Sequence, residues 1–149
     1  MAGNYYALRI LTSSENGVPT MTEKQPVAVV VDDEPLIRMD AADIIADAGF
    51  LVMEASNAEE AFVHLEAFPS LKLLFTDIQM PDIDGLTLAR HVKARWPHIS
   101  VIVTSGALRP GVAELPQDAR FIAKPFSQQT VLETIEETCG LPGPEAEKA

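Results

Sequence analysis

Charged side chains stand directly after several short apolar runs of this sequence. Asp32 and Asp33 follow the run "VAVVV", Asp77 follows "LKLLFT", and Lys124 follows "RFIA". Packing does not account for a charge at the end of a buried strand, because burying an unpaired charge is costly. A cluster of carboxylates suits a hard cation such as Mg²⁺, and an ammonium group beside it suits the oxygens of a phosphoryl group.

Each of these residues has a simpler interpretation when it is taken alone. An aspartate after a strand commonly caps a helix, so Asp32 or Asp33 is a candidate N-cap for a helix that opens at Pro35. A lysine such as Lys124 is usually a solvated surface residue. These simpler interpretations do not explain why the carboxylates would be clustered. Two like charges about 4 Å apart repel by about 4 kcal/mol at an effective dielectric constant of about 20. A fold that keeps such a cluster is expected to hold a cation in it.

Five short apolar runs alternate with amphipathic segments and predict the elements that position these residues. The predicted strands are "VAVVV", "FLVMEA", "LKLLFT", "ISVIVT" and "RFIA". Four helices are predicted. The first begins at Pro35, and the third runs through Leu88 to Trp96. The second and the fourth begin after the N-cap residues Asn57 and Ser127. Right-handed crossovers between such strands give a parallel sheet with helices on both faces. The predicted fold class is α/β, a doubly wound five-stranded parallel sheet with the flavodoxin-like strand order 2-1-3-4-5.

That strand order brings the charged residues to one edge of the sheet. Its ligand crevice lies at the carboxyl ends of strands 1 and 3, so Asp32, Asp33 and Asp77 are expected to share one site. Thr104, at the end of strand 4, and Lys124, after strand 5, are expected on the same edge. Their hydroxyl and ammonium groups would then face the carboxylates.

The helices carry two further predictions. The first helix is expected to turn one apolar stripe inward, made of Leu36, Met39, Ile44, Ile45 and Ala48. Between strands 4 and 5, Pro110, Gly111 and Pro116 interrupt the pattern, so an irregular fourth helix is predicted there.

Composition divides the 149 residues into one folded domain and two tails. Residues 1–25 are predicted to be a flexible N-terminal extension, residues 26–140 the domain, and residues 141–149 a C-terminal tail. A net charge of −11 argues against nucleic-acid binding, which needs a basic face. No apolar stretch approaches the roughly 18 residues that cross a membrane. The single cysteine, Cys139, is interpreted as a core residue and fits a reducing cytoplasm.

Four motifs in order, "VVVDDEP", "LLFTDIQMPDIDG", "VIVTSG" and "FIAKPF", resemble the receiver domain of two-component response regulators over Val27 to Cys139. The resemblance implies that Asp77 is the phosphoacceptor. It also implies that Mg²⁺ is held by Asp32, Asp33 and Asp77 with the main-chain carbonyl of Gln79.

The resemblance extends to the phosphoryl contacts and to the partners. Thr104 and Lys124 would contact the phosphoryl group, and Phe121 would occupy the position of the switch aromatic. The phosphoryl donor would be a sensor histidine kinase or a histidine phosphotransfer protein, and the output a downstream protein target. Such a protein is not an enzyme acting on a separate substrate, but it catalyses its own phosphorylation and dephosphorylation. Because no output domain follows the last helix, a stand-alone cytoplasmic receiver is expected.

Some residues depart from the common receiver pattern and keep other interpretations open. Gly106 offers no side chain to orient a hydrolytic water, and Phe121 lacks the hydroxyl of a tyrosine. A binding module of the same fold that works without phosphorylation is one alternative. A haloacid-dehalogenase-like phosphatase is a second, although Gln79 stands where its acid/base aspartate is expected. A flavodoxin-like flavin carrier is a third, although the loop after strand 1 is acidic.

Overall fold

Five parallel strands form one sheet in the order β2-β1-β3-β4-β5. The structure is a computed structural model that describes residues 25–107, 109–111 and 114–140. The strands are β1 (Val27–Val31), β2 (Leu51–Ala55), β3 (Leu71–Asp77), β4 (Ser100–Ser105) and β5 (Arg120–Ala123). The helices are α1 (Pro35–Asp47), α2 (Ala58–Ala67), α3 (Gly85–Arg95) and α4 (Gln128–Cys139). The predicted fold class and strand order are confirmed. The tail predicted at 141–149, and the extension predicted at 1–25 except for its last residue, lie outside the described residues.

Two hydrophobic cores lie on opposite faces of the sheet, because each strand is covered on both sides. Helices α2 and α3 cover the first core, whose buried members include Leu65, Leu74, Leu88, Val92 and Val103. Helices α1 and α4 cover the second core, whose buried members include Ile45, Phe75, Ile102, Ile122 and Val131. All five residues of β1 are buried, as expected for the central part of such a sheet.

Local signals set the starts of α2 and α4 as the sequence predicts. The Asn57 side chain accepts a hydrogen bond from the Glu60 N–H at 2.8 Å at the start of α2. The Ser127 hydroxyl oxygen accepts one from the Thr130 N–H at 3.1 Å at the start of α4. Helix α4 stops at Gly140, whose φ of 65° lies in the left-handed region that glycine adopts without strain.

The predicted apolar stripe of α1 is wrong at its beginning. Ile44 and Ile45 are buried, but Leu36 is 81% exposed and Met39 is 53% exposed. Helix α1 begins close to the carboxyl end of β1, so we attribute this to its first turn standing at the edge of the sheet rather than over the core. The candidate N-cap is also different, since the cap residue is Glu34 and it makes no side-chain capping bond.

Between β4 and β5 the described residues contain no α-helix. Glu114 donates its N–H to the Gly111 carbonyl at 2.9 Å, which closes one tight turn. The side chain of Glu114 accepts the Gly111 N–H at 2.7 Å, and Arg90 of α3 donates to the Glu114 carbonyl at 3.0 Å. Proline and glycine thus leave a connection held by local bonds and by α3, in agreement with the predicted irregularity. None of the helices in the described ranges has the length and apolar character that a bilayer crossing requires.

Candidate functional site

The alternation of side chains along the strands brings four site residues to one face of the sheet. Each lies two positions after a buried residue of the second core, and side chains two apart in a strand share a face. The four are Asp32, Asp77, Thr104 and Lys124, which follow Val30, Phe75, Ile102 and Ile122. Since their strands are neighbours in the order β1-β3-β4-β5, the four residues form one row at the carboxyl edge.

The three aspartates meet as the sequence predicts. Asp32, Asp33 and Asp77 each offer one carboxylate oxygen, and these oxygens lie within 4.8 Å of one another. Asp32 and Asp77 are only 4% and 5% exposed, whereas Asp33 is exposed. The donor set therefore combines two buried hard oxygens with one that faces water. This chemistry fits Mg²⁺, which prefers carboxylate oxygens and keeps part of its water shell.

Hydrogen bonds fix the main-chain N–H and both carboxylate oxygens of Asp32. Its N–H donates to the Ala55 carbonyl at 3.1 Å, which continues the pairing of β1 with β2. Its Oδ1 accepts the Glu34 N–H at 2.9 Å, and its Oδ2 accepts Lys124 Nζ at 2.9 Å. The sequence predicts that Asp32 lies at the end of β1. The tight turn between β1 and α1 determines how its carboxylate is oriented.

Lys124 is the cation of the site. Its Nζ lies 2.9 Å from Asp32 Oδ2, 3.3 Å from Asp77 Oδ1 and 3.8 Å from Glu34 Oε1. Its side chain is only 12% exposed, and the bond from Lys124 to Pro125 is cis. The prediction that an ammonium group faces the carboxylates is confirmed in its geometry, while the contact with a phosphoryl group stays a prediction.

The electrostatics of the site disfavour a negative charge on Asp77 beside the charge of Asp32. Burial raises the pKa of Asp77, and the charge of Asp32 raises it further, while Lys124 acts in the opposite direction. For Lys124, burial alone lowers the pKa, but the hydrogen bond and charge of Asp32, with the charge of Asp77, outweigh it and raise the pKa. One lysine thus compensates two buried carboxylates only in part, and the remaining negative charge favours the binding of a further cation.

Thr104 lies beside Asp77 on the neighbouring strand, as the sequence predicts. Thr104 pairs in register with Asp77 and is 1% exposed. Its carbonyl accepts the Ile78 N–H at 2.9 Å, which ties β4 to the residue after Asp77. Gln79 follows in the loop to α3 and is exposed, and its role as a main-chain ligand stays a prediction.

Phe121 does not join this row. It pairs with Val103 and packs against the first core, on the face opposite to Asp77. The guanidinium carbon of Arg109 lies 5.7 Å from the centre of its ring, a cation–π distance. The residue predicted to report the switch is therefore linked to the site through the adjoining strand β4 and not by direct contact.

Gly85 is a site residue that the sequence reasoning missed. It opens α3, and its N–H donates to the Ile78 carbonyl at 2.8 Å. A Cβ at this position would overlap the carbonyl oxygen of Asp77 and lie 2.7 Å from its carbonyl carbon. Only glycine lets the helix approach the phosphoacceptor candidate so closely. The available signal was the glycine that follows Asp84 in the motif "PDIDG".

Curated relatives of the chain include a response regulator receiver protein, a chemotaxis protein and a sensor kinase. The response regulator receiver protein CpdR of Brucella abortus is 30% identical over 112 residues, which cover 72% of this chain and 92% of that protein. The chemotaxis protein CheY1 of Helicobacter pylori is 32% identical and covers 75% of this chain and 95% of that protein. The sensor kinase CckA of Brucella abortus is 32% identical over 133 residues, but the chain spans only 14% of its length.

Solved structures agree with the sequence relatives. The response regulator receiver domain protein from Clostridium thermocellum has a TM-score of 0.69 at 25% identity, with 77% of this chain and 94% of that chain covered. A CheY-like receiver domain protein from Methanospirillum hungatei has a TM-score of 0.67 at 26% identity, with 83% and 97% covered. The family model of the response regulator receiver domain matches residues 28–136. The matched family is that of the receiver domain, which is distinct from the haloacid-dehalogenase-like phosphatases and the flavin carriers considered above, although flavodoxins share its strand order. By sequence, by fold and by the cluster of Asp32, Asp33 and Asp77 at its sheet edge, the chain belongs to the response regulator receiver domain family of two-component systems.

Proposed function

We propose that this receiver accepts a phosphoryl group on Asp77 from a phosphohistidine of a sensor histidine kinase or a histidine phosphotransfer protein. The observation that carries the proposal is the placement of Asp77. Its buried carboxylate ends a central strand, 3.3 Å from Lys124 Nζ and within 4.8 Å of two other carboxylates. A carboxylate with no reactive role would be an unfavourable choice for that position.

The residues that would hold Mg²⁺ are Asp32, Asp33 and Asp77, with the main-chain carbonyl of Gln79. When bound, Mg²⁺ supplies positive charge that offsets the charge of the phosphoryl oxygens. The chain's own residues position the reactants. Asp32 is fixed by Glu34 and Lys124, and Asp33 is the carboxylate that faces solvent.

In the transfer, a carboxylate oxygen of Asp77 forms a bond to phosphorus while the bond between phosphorus and the donor imidazole nitrogen breaks. The imidazole leaves as a neutral ring after it takes up a proton. Lys124 moves its hydrogen bond from Asp77 to a phosphoryl oxygen, and the Thr104 hydroxyl contacts another. The product is an acyl phosphate, which water cleaves again in the same site. The protein therefore acts on itself and is not an enzyme with a separate substrate.

The output is a change in a protein-interaction surface that a downstream protein target reads. The elements available for it are Thr104, the connection from β4 to β5, and Phe121 beneath Arg109. A phosphoryl group that draws Thr104 toward Asp77 changes strand β4, and Val103 of that strand pairs with Phe121. This is a local charge acting on a neighbouring packed element.

Acetyl phosphate tests the reaction without a partner protein. Incubation of the full chain with acetyl phosphate and Mg²⁺ is expected to add one phosphoryl mass that hydroxylamine removes, and Asp77→Asn is expected to abolish it. Asp84→Asn is the matched control, because Asp84 caps α3 through the Thr87 N–H and lies outside the row. The same adduct on Asp77→Asn would contradict the assignment. A wild-type chain that stays unmodified would favour a binding module that works without phosphorylation.

Thermal melting tests the metal separately. Mg²⁺ that binds the native state is expected to raise the melting temperature by mass action. Asp33→Asn is expected to weaken that response, since it removes one of the three carboxylates. A melting curve that millimolar Mg²⁺ leaves unchanged would contradict the proposed metal site.

A further inference from the structure

Arg38 contacts the main chain of Asp32, whereas Lys124 contacts its carboxylate. It lies at the end of the first turn of α1, and its Nη1 donates to the main-chain carbonyl of Asp32 at 3.0 Å. The Asp32 carbonyl directly precedes Asp33, so this bond acts on the peptide unit between two of the three carboxylates.

A second bond orients the guanidinium group. Arg38 Nε lies 3.0 Å from Glu54 Oε1, and the two side chains are 19% and 20% exposed. Glu54 belongs to β2, where it pairs with Val30 of β1. The planar fork of an arginine satisfies a carboxylate and a carbonyl at once, which a lysine cannot do with the same fixed geometry.

The bond to Asp32 completes the set of restraints on this residue. Its N–H is held by Ala55, its carbonyl by Arg38, and its carboxylate by Glu34 and Lys124. Partners outside the ligand set that orient metal ligands commonly change metal affinity by roughly 10- to 100-fold when they are removed. A half-buried ion pair that does nothing but stabilise the fold has no need to reach the Asp32 carbonyl.

We infer that Arg38, oriented by Glu54, is a positioning residue that preorganises Asp32 and Asp33 for a divalent cation. The inference rests on the metal site of the proposed function. Arg38 touches neither the cation nor the phosphoryl group in this assignment. It holds the peptide unit from which the two carboxylates project, so its loss lets that turn sample orientations in which the carboxylates no longer converge.

Calorimetric titration of the metal-free chain with Mg²⁺ tests the inference without any phosphoryl donor. Arg38→Met is expected to weaken Mg²⁺ binding about tenfold or more. Arg38→Lys is expected to lie between Arg38→Met and wild type, because it keeps the charge and loses the fork. Glu54→Gln keeps the donors of Arg38 and removes the charge that orients them, so a smaller loss is expected. A control is Arg95→Met, which breaks the exposed pair of Arg95 with Glu66 at the far ends of α3 and α2.

Amide hydrogen exchange provides a second measurement that does not depend on Mg²⁺. The Glu34 N–H donates to Asp32 Oδ1, so its exchange reports whether Asp32 stays in place. It is expected to be faster in Arg38→Met and unchanged in Arg95→Met, at a melting temperature that shows the variant to be folded. A purely structural role would lower the melting temperature without a selective loss of Mg²⁺ affinity or of Glu34 protection.

The possible outcomes separate this inference from the proposed function. Wild-type Mg²⁺ affinity in folded Arg38→Met would overturn the positioning role and leave the metal site intact. A wild-type chain that binds no Mg²⁺ would overturn the metal site and with it the assigned purpose of Arg38. If Arg38→Met does not fold, Arg38→Lys and Glu54→Gln carry the same comparison, and wild-type affinity in both would overturn the inference.

Discussion

Lys124 Nζ and Asp32 Oδ2 lie 2.9 Å apart although 92 positions separate the two residues. The bond joins the loop after β5 to the loop after β1, which are separated by β3 and β4 in the sheet. Because Lys124 also lies 3.3 Å from Asp77, one ammonium group balances two buried carboxylates. The stability of the domain and the chemistry of the site therefore depend on the same lysine.

Lys124→Ala is expected to destabilise the metal-free protein by roughly 3 kcal/mol, the usual cost of leaving a buried ion without its partner. Urea unfolding without Mg²⁺ measures this loss. Lys72→Ala is the control, since Lys72 is an exposed lysine of β3. Added Mg²⁺ is expected to restore part of the lost stability, because the cation replaces the missing charge. Equal unfolding midpoints for the two variants would contradict the shared-cation assignment.

Asp77→Asn is expected to raise the melting temperature of the metal-free protein by a few degrees at neutral pH. Burial and the charge of Asp32 raise the pKa of Asp77, so folding disfavours its charged form. A raised folded-state pKa means that stability falls as pH rises through the interval from the unfolded to the folded value. The advantage of Asp77→Asn is therefore largest above that interval and vanishes below the unfolded value of about 3.9.

Melting curves of wild type and Asp77→Asn across acidic to neutral pH, without divalent cations, measure this difference. Asp82→Asn is a control that removes a charge from an exposed loop position. A difference between Asp77→Asn and wild type that grows as pH falls would have the wrong sign for a carboxyl group with a raised pKa.

Gly85→Ala is expected to cost roughly 2 kcal/mol and to slow phosphorylation by acetyl phosphate. The added Cβ overlaps the Asp77 carbonyl oxygen, so either α3 or the end of β3 must move. Gly106→Ala is a stability control, because its Cβ would meet only Lys124 Cβ at 3.7 Å, an ordinary contact distance. Denaturant unfolding together with intact-mass kinetics tests the pair. Wild-type stability in Gly85→Ala would show that this close approach is not present.

Glu60→Gln is expected to lower stability at neutral pH by about 0.5 kcal/mol, at the lower end of capping effects. Hydrogen bonds from the Ser56 N–H at 2.7 Å and from its hydroxyl at 2.9 Å lower the pKa of Glu60. A lowered folded-state pKa contributes stability above the unfolded value, and this contribution is lost as pH falls through the folded value. The gap between Glu60→Gln and wild type is therefore expected to close in acid.

Thermal unfolding at several pH values measures that gap. Glu59→Gln is the matched control, because it removes a charge from the same helical turn and leaves the bonds to Ser56 in place. A loss in Glu59→Gln that equals the loss in Glu60→Gln would assign the effect to helix charge alone.

A beryllofluoride–Mg²⁺ mimic of the acyl phosphate is expected to slow amide exchange in residues 104–107 and 114–123 and to leave α2 nearly unchanged. The β4–β5 connection depends on a few bonds, such as that of Arg90 to the Glu114 carbonyl, so contacts at Thr104 bias it readily. Thr104→Ala is expected to accept phosphate and to lose most of this protection. Unchanged exchange there in wild type would direct the search for the output surface to another face.

The sequence was sufficient to predict the sheet and the convergence of its acidic residues. Continuous apolar runs predict strands covered on both faces, and the strand order places the ends of β1 and β3 side by side. Asp32, Asp33 and Asp77 then meet because they follow those runs, and a period of two puts Asp77 and Lys124 on one face. The prediction that Leu36 faces inward was wrong, because periodicity within a helix does not show where the sheet beneath that helix ends.

Only the tertiary structure decided which atoms meet. The sequence placed Lys124 near the carboxylates, but the choice of Asp32 Oδ2 as its nearest partner depends on how two loops pack after four strands have paired. The bond from Arg38 to the Asp32 carbonyl and the approach of Gly85 to Asp77 likewise join segments through space. Periodicity and propensity indicate whether a residue is buried. Such contacts instead depend on how elements distant in sequence pack together, where shifts of a few tenths of an ångström decide which atoms meet.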